Sequence, residues 1–309
     1  MNEKIGSLIA NIEKVIVGKR DVIVRVITAM LSGGHVLIED VPGVGKTQLV
    51  SALAKSVNGK YNRIQLTPDI MPSDIVGFSM IDRETHELVY KEGAAMCNFL
   101  LADEINRASP KSQSALLEVM EEHQISIDGR TLKLPEPFMT LATQNPVETY
   151  GTYHLPEAQM DRFIMKISIG YPSAEQELEI VSHSESGMTA AAINAVMDVS
   201  DIAELIRQAN DIYVADSVRQ YAVNIVNATR NSPLIRLGVS PRGSIALVKS
   251  AKSYAFVNGR DYVTPDDVRT LASDCLSHRL ILSPKGRSEY ANNEAALAAV
   301  LMTVAAPTE

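Results

Sequence analysis

The sequence predicts an α/β protein with a three-layer αβα parallel sheet, followed by a smaller all-α domain. Three observations carry that expectation. The apolar run His35-Val36-Leu37-Ile38-Glu39 stops at a glycine-rich loop, Val41-Pro42-Gly43-Val44-Gly45-Lys46-Thr47, which opens a helical segment. A second continuous apolar run over residues 98–102 ends in the adjacent carboxylates Asp103-Glu104, as suits a strand buried on both faces. Beyond Tyr171-Pro172 the alternation of strands and helices gives way to helices alone.

Taken in order, Val22, Val26, Ile27 and Met30 recur with helical spacing over residues 21–31, and Gly33-Gly34 ends that helix before the first strand. After the loop, residues 48–57 read as a helix with Leu49, Leu53 and Val57 on one face. Asn58-Gly59 breaks it, and residues 61–66 alternate as a second strand. Residues 138–143 and 163–169 supply two further strands. Helices are expected over 175–186, 202–209, 217–230, 241–257 and 265–278. The domains therefore read as 1–172, built on the sheet, and 173–309, helical. Two excursions interrupt the first: residues 73–93 read as a strand-rich hairpin, and residues 124–134 alternate about Asp128-Gly129, a two-residue hairpin turn. Both are either decoration or projections that contact a partner or a central pore.

The chain of 309 residues can bury a substantial core. Its 46% hydrophobic and 21% charged composition excludes disorder, and the formal charge of -8 argues against a broadly basic nucleic-acid surface. Cys97 and Cys275 form no metal-like or redox-like spacing, and His35, His123, His154 and His278 form no ligand set. The N-terminus lacks a continuous apolar h-region, and the apolar run over 295–306 is too short to span a bilayer. The cytoplasm is the expected compartment.

The glycine-rich loop is a phosphate loop in its required setting of strand, loop and helix. Glycines let backbone N–H groups turn toward phosphate oxygens, the helix presents its positive end, Lys46 reaches the terminal phosphates and Thr47 ligates magnesium. Pro42, Gly43, Val44, Gly45 and Gln48 complete the expected nucleotide contacts. One position departs from the full pattern: where that pattern opens on glycine, residue 40 is Asp. Asp103 can hold magnesium, directly or through water, and Glu104 can polarise the attacking water.

At this point the chain resembles the AAA+ ATPases, and within them the MoxR family. The resemblance rests on the phosphate loop (Walker A), on Leu101-Ala102-Asp103-Glu104-Ile105-Asn106-Arg107-Ala108 (Walker B), on Ala142-Thr143-Gln144-Asn145-Pro146, on Leu155-Pro156-Glu157-Ala158-Gln159-Met160-Asp161-Arg162-Phe163 and on Ser240-Pro241-Arg242. It implies that Asn145 is the polar sensor that positions water, that Arg162 is an arginine finger acting on a neighbouring subunit's nucleotide, and that Arg242 is the lid sensor of the terminal phosphate. It also implies that Val17 and Gly18 line the adenine pocket. Arg107 could line a subunit interface, contact a phosphate or cap its own helix.

The implied activity is magnesium-dependent ATP hydrolysis to ADP and phosphate by a homo-oligomeric, hexameric ring, which remodels or matures client proteins. Relatives of this family resemble chaperones for metal or cofactor insertion, often beside partners with a von Willebrand A domain, which this chain lacks. Three alternatives stay open: a nucleotide-switched assembly module with little turnover, a metal-chelatase-type motor subunit, and a nucleic-acid motor, which the acidic composition disfavours.

Overall fold

The computed structural model describes residues 2–146, 153 and 155–307. Five parallel strands, β1 (His35–Glu39), β2 (Tyr61–Gln65), β3 (Phe99–Asp103), β4 (Met139–Gln144) and β5 (Phe163–Ile167), form one sheet in the order β2-β3-β4-β1-β5. All of β3 is buried, as its unbroken apolar run requires, whereas β2 lies at the edge and exposes Arg63 and Gln65.

Side-chain alternation makes the layers. Val36 and Ile38 of β1 and Leu101 of β3 pack on one face, while Leu37, Leu100 and Ala102 pack on the other. The first face is covered by the helices Glu3–Glu13, Arg20–Leu31 and Lys46–Ser56, and the second by the helix Pro110–Glu122. The helix Glu3–Glu13, absent from the sequence-based expectation, follows from Asn2, whose side chain accepts from the N–H groups of Lys4 and Ile5. It buries Ile5, Leu8, Ile9 and Ile12, each contributing about 2 kcal/mol by removal of apolar area from water.

His35 opens β1 in full burial. Its Nδ1 accepts from the Thr140 N–H at 2.9 Å, so Nε2 carries the proton donated to the Met120 carbonyl at 2.8 Å. Burial is the main cause that lowers its pKa to about 4, with repulsion from His123 adding to it.

β5 ends two residues before the predicted boundary at 169. The Asp40 carboxylate accepts from the N–H groups of Ile169 and Gly170 and from the Ser168 hydroxyl, and so draws the chain out of the ladder. The helices Val199–Asn210, Asp216–Asn231, Pro241–Val257, Pro265–Leu276 and Asn293–Leu301 then build the lid, which also holds one short ladder of Ile235–Leu237 against Ile281–Leu282. Its helix Pro241–Val257 packs on Arg20–Leu31, joining the lid to the sheet's first face in one core.

Both excursions hold hairpins, the first only after a short helix, Pro72–Val76. Phe78–Ile81 pairs with Leu88–Lys91, and Gln124–Ile127 pairs with Arg130–Lys133 across Asp128 and Gly129, whose φ angles of 51° and 74° are those of a type I′ turn. Among the described residues, no helix is long and apolar enough to cross a membrane.

Candidate nucleotide site

The carboxyl ends of the central strands and the phosphate loop enclose a cleft of about 320 Å³, lined by Pro42, Gly43, Gly45, Lys46, Thr47, Gln48, Arg63, Gln65, Asp103, Glu104, Thr143 and Asn145. Gly43 and Gly45 adopt φ angles of 87° and 93°, a left-handed region where a side chain would be strained. Gly45 caps the helix Lys46–Ser56, so the first N–H groups of that helix open onto the cleft. Lys46 folds back to donate to the Asp40 carbonyl at 2.8 Å. Burial lowers its pKa, opposed by the charges of Asp40, Asp103 and Glu104. A polyphosphate entering the cleft would offer this ammonium a stronger, charged acceptor.

The two carboxylates are held differently. Asp103, buried, accepts from the Thr143 hydroxyl at 3.2 Å and from Arg63 Nε at 2.7 Å. Glu104 has a φ of 57°, a left-handed conformation that costs about 1 kcal/mol in a non-glycine residue. Its N–H donates to Thr143 Oγ1 at 2.9 Å, and its carboxylate accepts from Arg107 at 3.0 Å. Thr143 thus ties the backbone turn of one acid to the side chain of the other. Arg107 forms an ion pair with Glu104, a contact outside the three options open from sequence.

The donors fit magnesium. Thr47 and Asp103 present a hydroxyl and a carboxylate to the same cleft, the hard oxygen ligands this ion takes together with substrate phosphates. Arg63 holds one of the Asp103 oxygens, so the guanidinium and a cation would compete for it. Asn145, at the end of β4, is buried and lines the cleft. His154 lies outside the described residues.

Beside the cleft, an apolar cavity of about 140 Å³ is lined by Val15, Ile16, Val17, Lys19, Gly43, Val44, Gly45, Gln48, Gly170, Pro172 and Ile180. It shares Gly43, Gly45 and Gln48 with the phosphate cleft, the arrangement a base joined to a phosphate chain requires. Gly18 has a φ of 66° and lies against Gln176, whose amide donates to the Gly18 carbonyl at 3.2 Å; any Cβ there would strike that side chain.

Arg162 and Arg242 are not brought into this cleft. Both pair with Glu121 on the helix Pro110–Glu122: Arg162 at 3.0 Å and Arg242 at 2.6 Å. Sequence reasoning passed over Glu121, and also Arg63, Gln65 and Thr143 within the cleft. For Gln65 and Thr143, a signal was present in their strand positions, at the carboxyl ends where ligands gather, whereas Arg63 lies in mid-strand.

A parallel sheet in this order, with a phosphate loop after β1, paired carboxylates after β3, a polar residue after β4 and a helical lid, defines an AAA+ ATPase. Residues 35–165 match the ATPase family associated with various cellular activities, and residues 227–300 match the AAA lid domain. The chain is 42% identical to Chaperone MoxR1 of Mycobacterium tuberculosis, over 97% of this chain and 81% of that protein. It is 48% identical to YeaC of Bacillus subtilis, an uncharacterised protein, over 99% of this chain and 95% of that one. The crystal structure of a candidate ATPase from Cytophaga hutchinsonii superposes with a TM-score of 0.92 at 38% identity, covering 99% of this chain and 95% of that one. The chain belongs to the MoxR family of AAA+ ATPases.

Proposed function

We propose that this ATPase hydrolyses ATP with magnesium in a homo-oligomeric ring, of hexameric form, and uses the turnover to remodel or mature client proteins. The supporting observation is the separation of its parts: the cleft gathers Lys46, Thr47, Asp103, Glu104 and Asn145, while Arg162 and Arg242 stand outside it on Glu121. A complete site then takes its arginines from a second subunit. Arg242, expected from sequence to serve its own subunit, joins Arg162 in this reading.

Within the cleft, Lys46 and the loop N–H groups hold the β- and γ-phosphates, and Val17 and Gly18 border the base. Magnesium, held by Thr47 and Asp103, would neutralise charge on the phosphates. Glu104 accepts a proton from the attacking water, and Asn145 orients that water. The arginines stabilise charge on the transferring phosphoryl oxygens. The nucleotide-binding unit is residues 1–172 and the lid is residues 173–309. Client remodelling is carried over from the name of the chaperone relative; a von Willebrand A domain partner is what the family resemblance implies, and the cytoplasm is the compartment expected from sequence. Phosphate release by the assembled protein, with and without magnesium, tests the reading. Absence of magnesium-dependent release would leave the nucleotide-switched assembly module in its place.

A further inference from the structure

Two arginines on one carboxylate need an explanation, because like charges repel and a half-exposed ion pair adds little stability. Leu117 and Glu121 lie one helical turn apart on the helix Pro110–Glu122. Arg162 uses both: its Nη1 donates to the Leu117 carbonyl at 2.5 Å and its Nη2 lies 3.0 Å from Glu121 Oε2. The other Glu121 oxygen accepts from Arg242 Nη2 at 2.6 Å. That hydrogen bond and the two guanidinium charges hold the Glu121 carboxyl below its usual range, so it stays ionised.

The backbones carrying the arginines are fixed independently of Glu121. The Ser240 hydroxyl donates to Asp161 at 2.9 Å, the buried Arg279 lies 3.0 Å from the same carboxylate, and Arg279 donates to the Phe163 carbonyl at 2.6 Å. The segments 161–163 and 240–242 are therefore stapled to one another, leaving only the long side chains of Arg162 and Arg242 to be ordered. Each such side chain carries about 2 kcal/mol of rotamer entropy.

We propose that Glu121 is a positioning residue: it holds Arg162 and Arg242 side by side, so that both guanidiniums meet the neighbouring subunit's nucleotide phosphates as a preformed pair. This rests on the reading that the arginines act across subunits. Glu121 does not line its own subunit's cleft. Its effect falls on turnover next door, and not on ATP binding at home.

The test is Glu121→Gln, which keeps the shape, removes the charge and leaves one acceptor for two donors. Turnover of the homogeneous variant should fall about tenfold with the KM for ATP within about twofold of wild type, and Glu121→Asp should recover part of the loss. Mixed with Lys46→Ala, which lacks a working cleft but presents an intact arginine pair, Glu121→Gln should regain activity above the sum of the two proteins alone. Wild-type turnover in Glu121→Gln overturns the proposal. So does loss of its assembly at assay concentration, since the carboxylate would then be holding subunits together. An Arg162→Ala and Lys46→Ala mixture is run in parallel. If it recovers activity while the Glu121→Gln mixture does not, Glu121 is wrongly assigned. If the Arg162→Ala mixture fails, the trans reading itself falls.

Discussion

The phosphate cleft and the arginine cluster on Glu121 use the same chemistry in opposite ways. In the cleft every functional charge has a partner from its own neighbourhood: Lys46 rests on the Asp40 carbonyl, Asp103 on Arg63, and Glu104 on Arg107. In the cluster, one carboxylate serves two arginines that come from distant parts of the chain. The cleft is a resting site whose contacts a nucleotide would exchange for its own. The cluster stands outside the cleft, and the proposed function has it presented to a neighbouring subunit. On the proposed reading, the difference places binding and turnover in separate parts of the chain, with one subunit supplying half of each site.

The comparison breaks most sharply at Arg162. Arg162→Ala should lower turnover by about a thousandfold while leaving ATP binding unchanged, measured by steady-state phosphate release beside equilibrium nucleotide titration. Weakened binding would move Arg162 into the cleft's own ledger. Glu104→Gln should reduce hydrolysis by about a hundredfold or more with nucleotide retained, because a carboxamide cannot accept the water's proton; an unchanged rate would remove its role as base. Lys46→Ala acts on the other side of the comparison, raising the dissociation constant for ATP by about a hundredfold, as loss of a charged hydrogen bond predicts.

Acid should loosen the seat of the cluster. His35 is neutral when folded, with a pKa of about 4, and binds the Met120 carbonyl next to Glu121. Its contribution is present above the unfolded histidine value of about 6.5 and is lost as pH falls toward 4, a cost of up to about 3 kcal/mol. The thermal midpoint should drop through that window, less so in His35→Asn; equal slopes in both proteins would exclude His35. Smallest is Asp40→Asn, which keeps one acceptor for the N–H groups at 169–170 and should lower stability by about 1 kcal/mol, read as a shift of a few degrees in the same melting experiment.

Much of this was legible from sequence where physics is local. The strands β1 and β3 are unbroken apolar runs because both their faces are covered, and the turn at Asp128-Gly129 declares its own geometry. The cleft residues next to motifs were readable for the same reason. The helix Glu3–Glu13 escaped because its charges were read only as evidence against a leader, although Ile5, Leu8, Ile9 and Ile12 have helical spacing. Glu121 was illegible in principle: an acid at the end of an amphipathic helix reads as solvated until the fold delivers two arginines to it. Arg63 looked like the polar half of an alternating edge strand, and only strand order reveals that Asp103 lies beside it.

Asp40 first stood out as the position where the phosphate loop departs from its pattern. Its backbone carbonyl holds Lys46, and its side chain holds Ser168, Ile169 and Gly170, where the chain turns toward the lid. One residue thus holds the loop's lysine through its backbone and the segment 168–170 through its side chain. A nucleotide that drew Lys46 from the Asp40 carbonyl would act on the residue that anchors the turn toward the lid, and glycine, with no side chain, could not make that second contact.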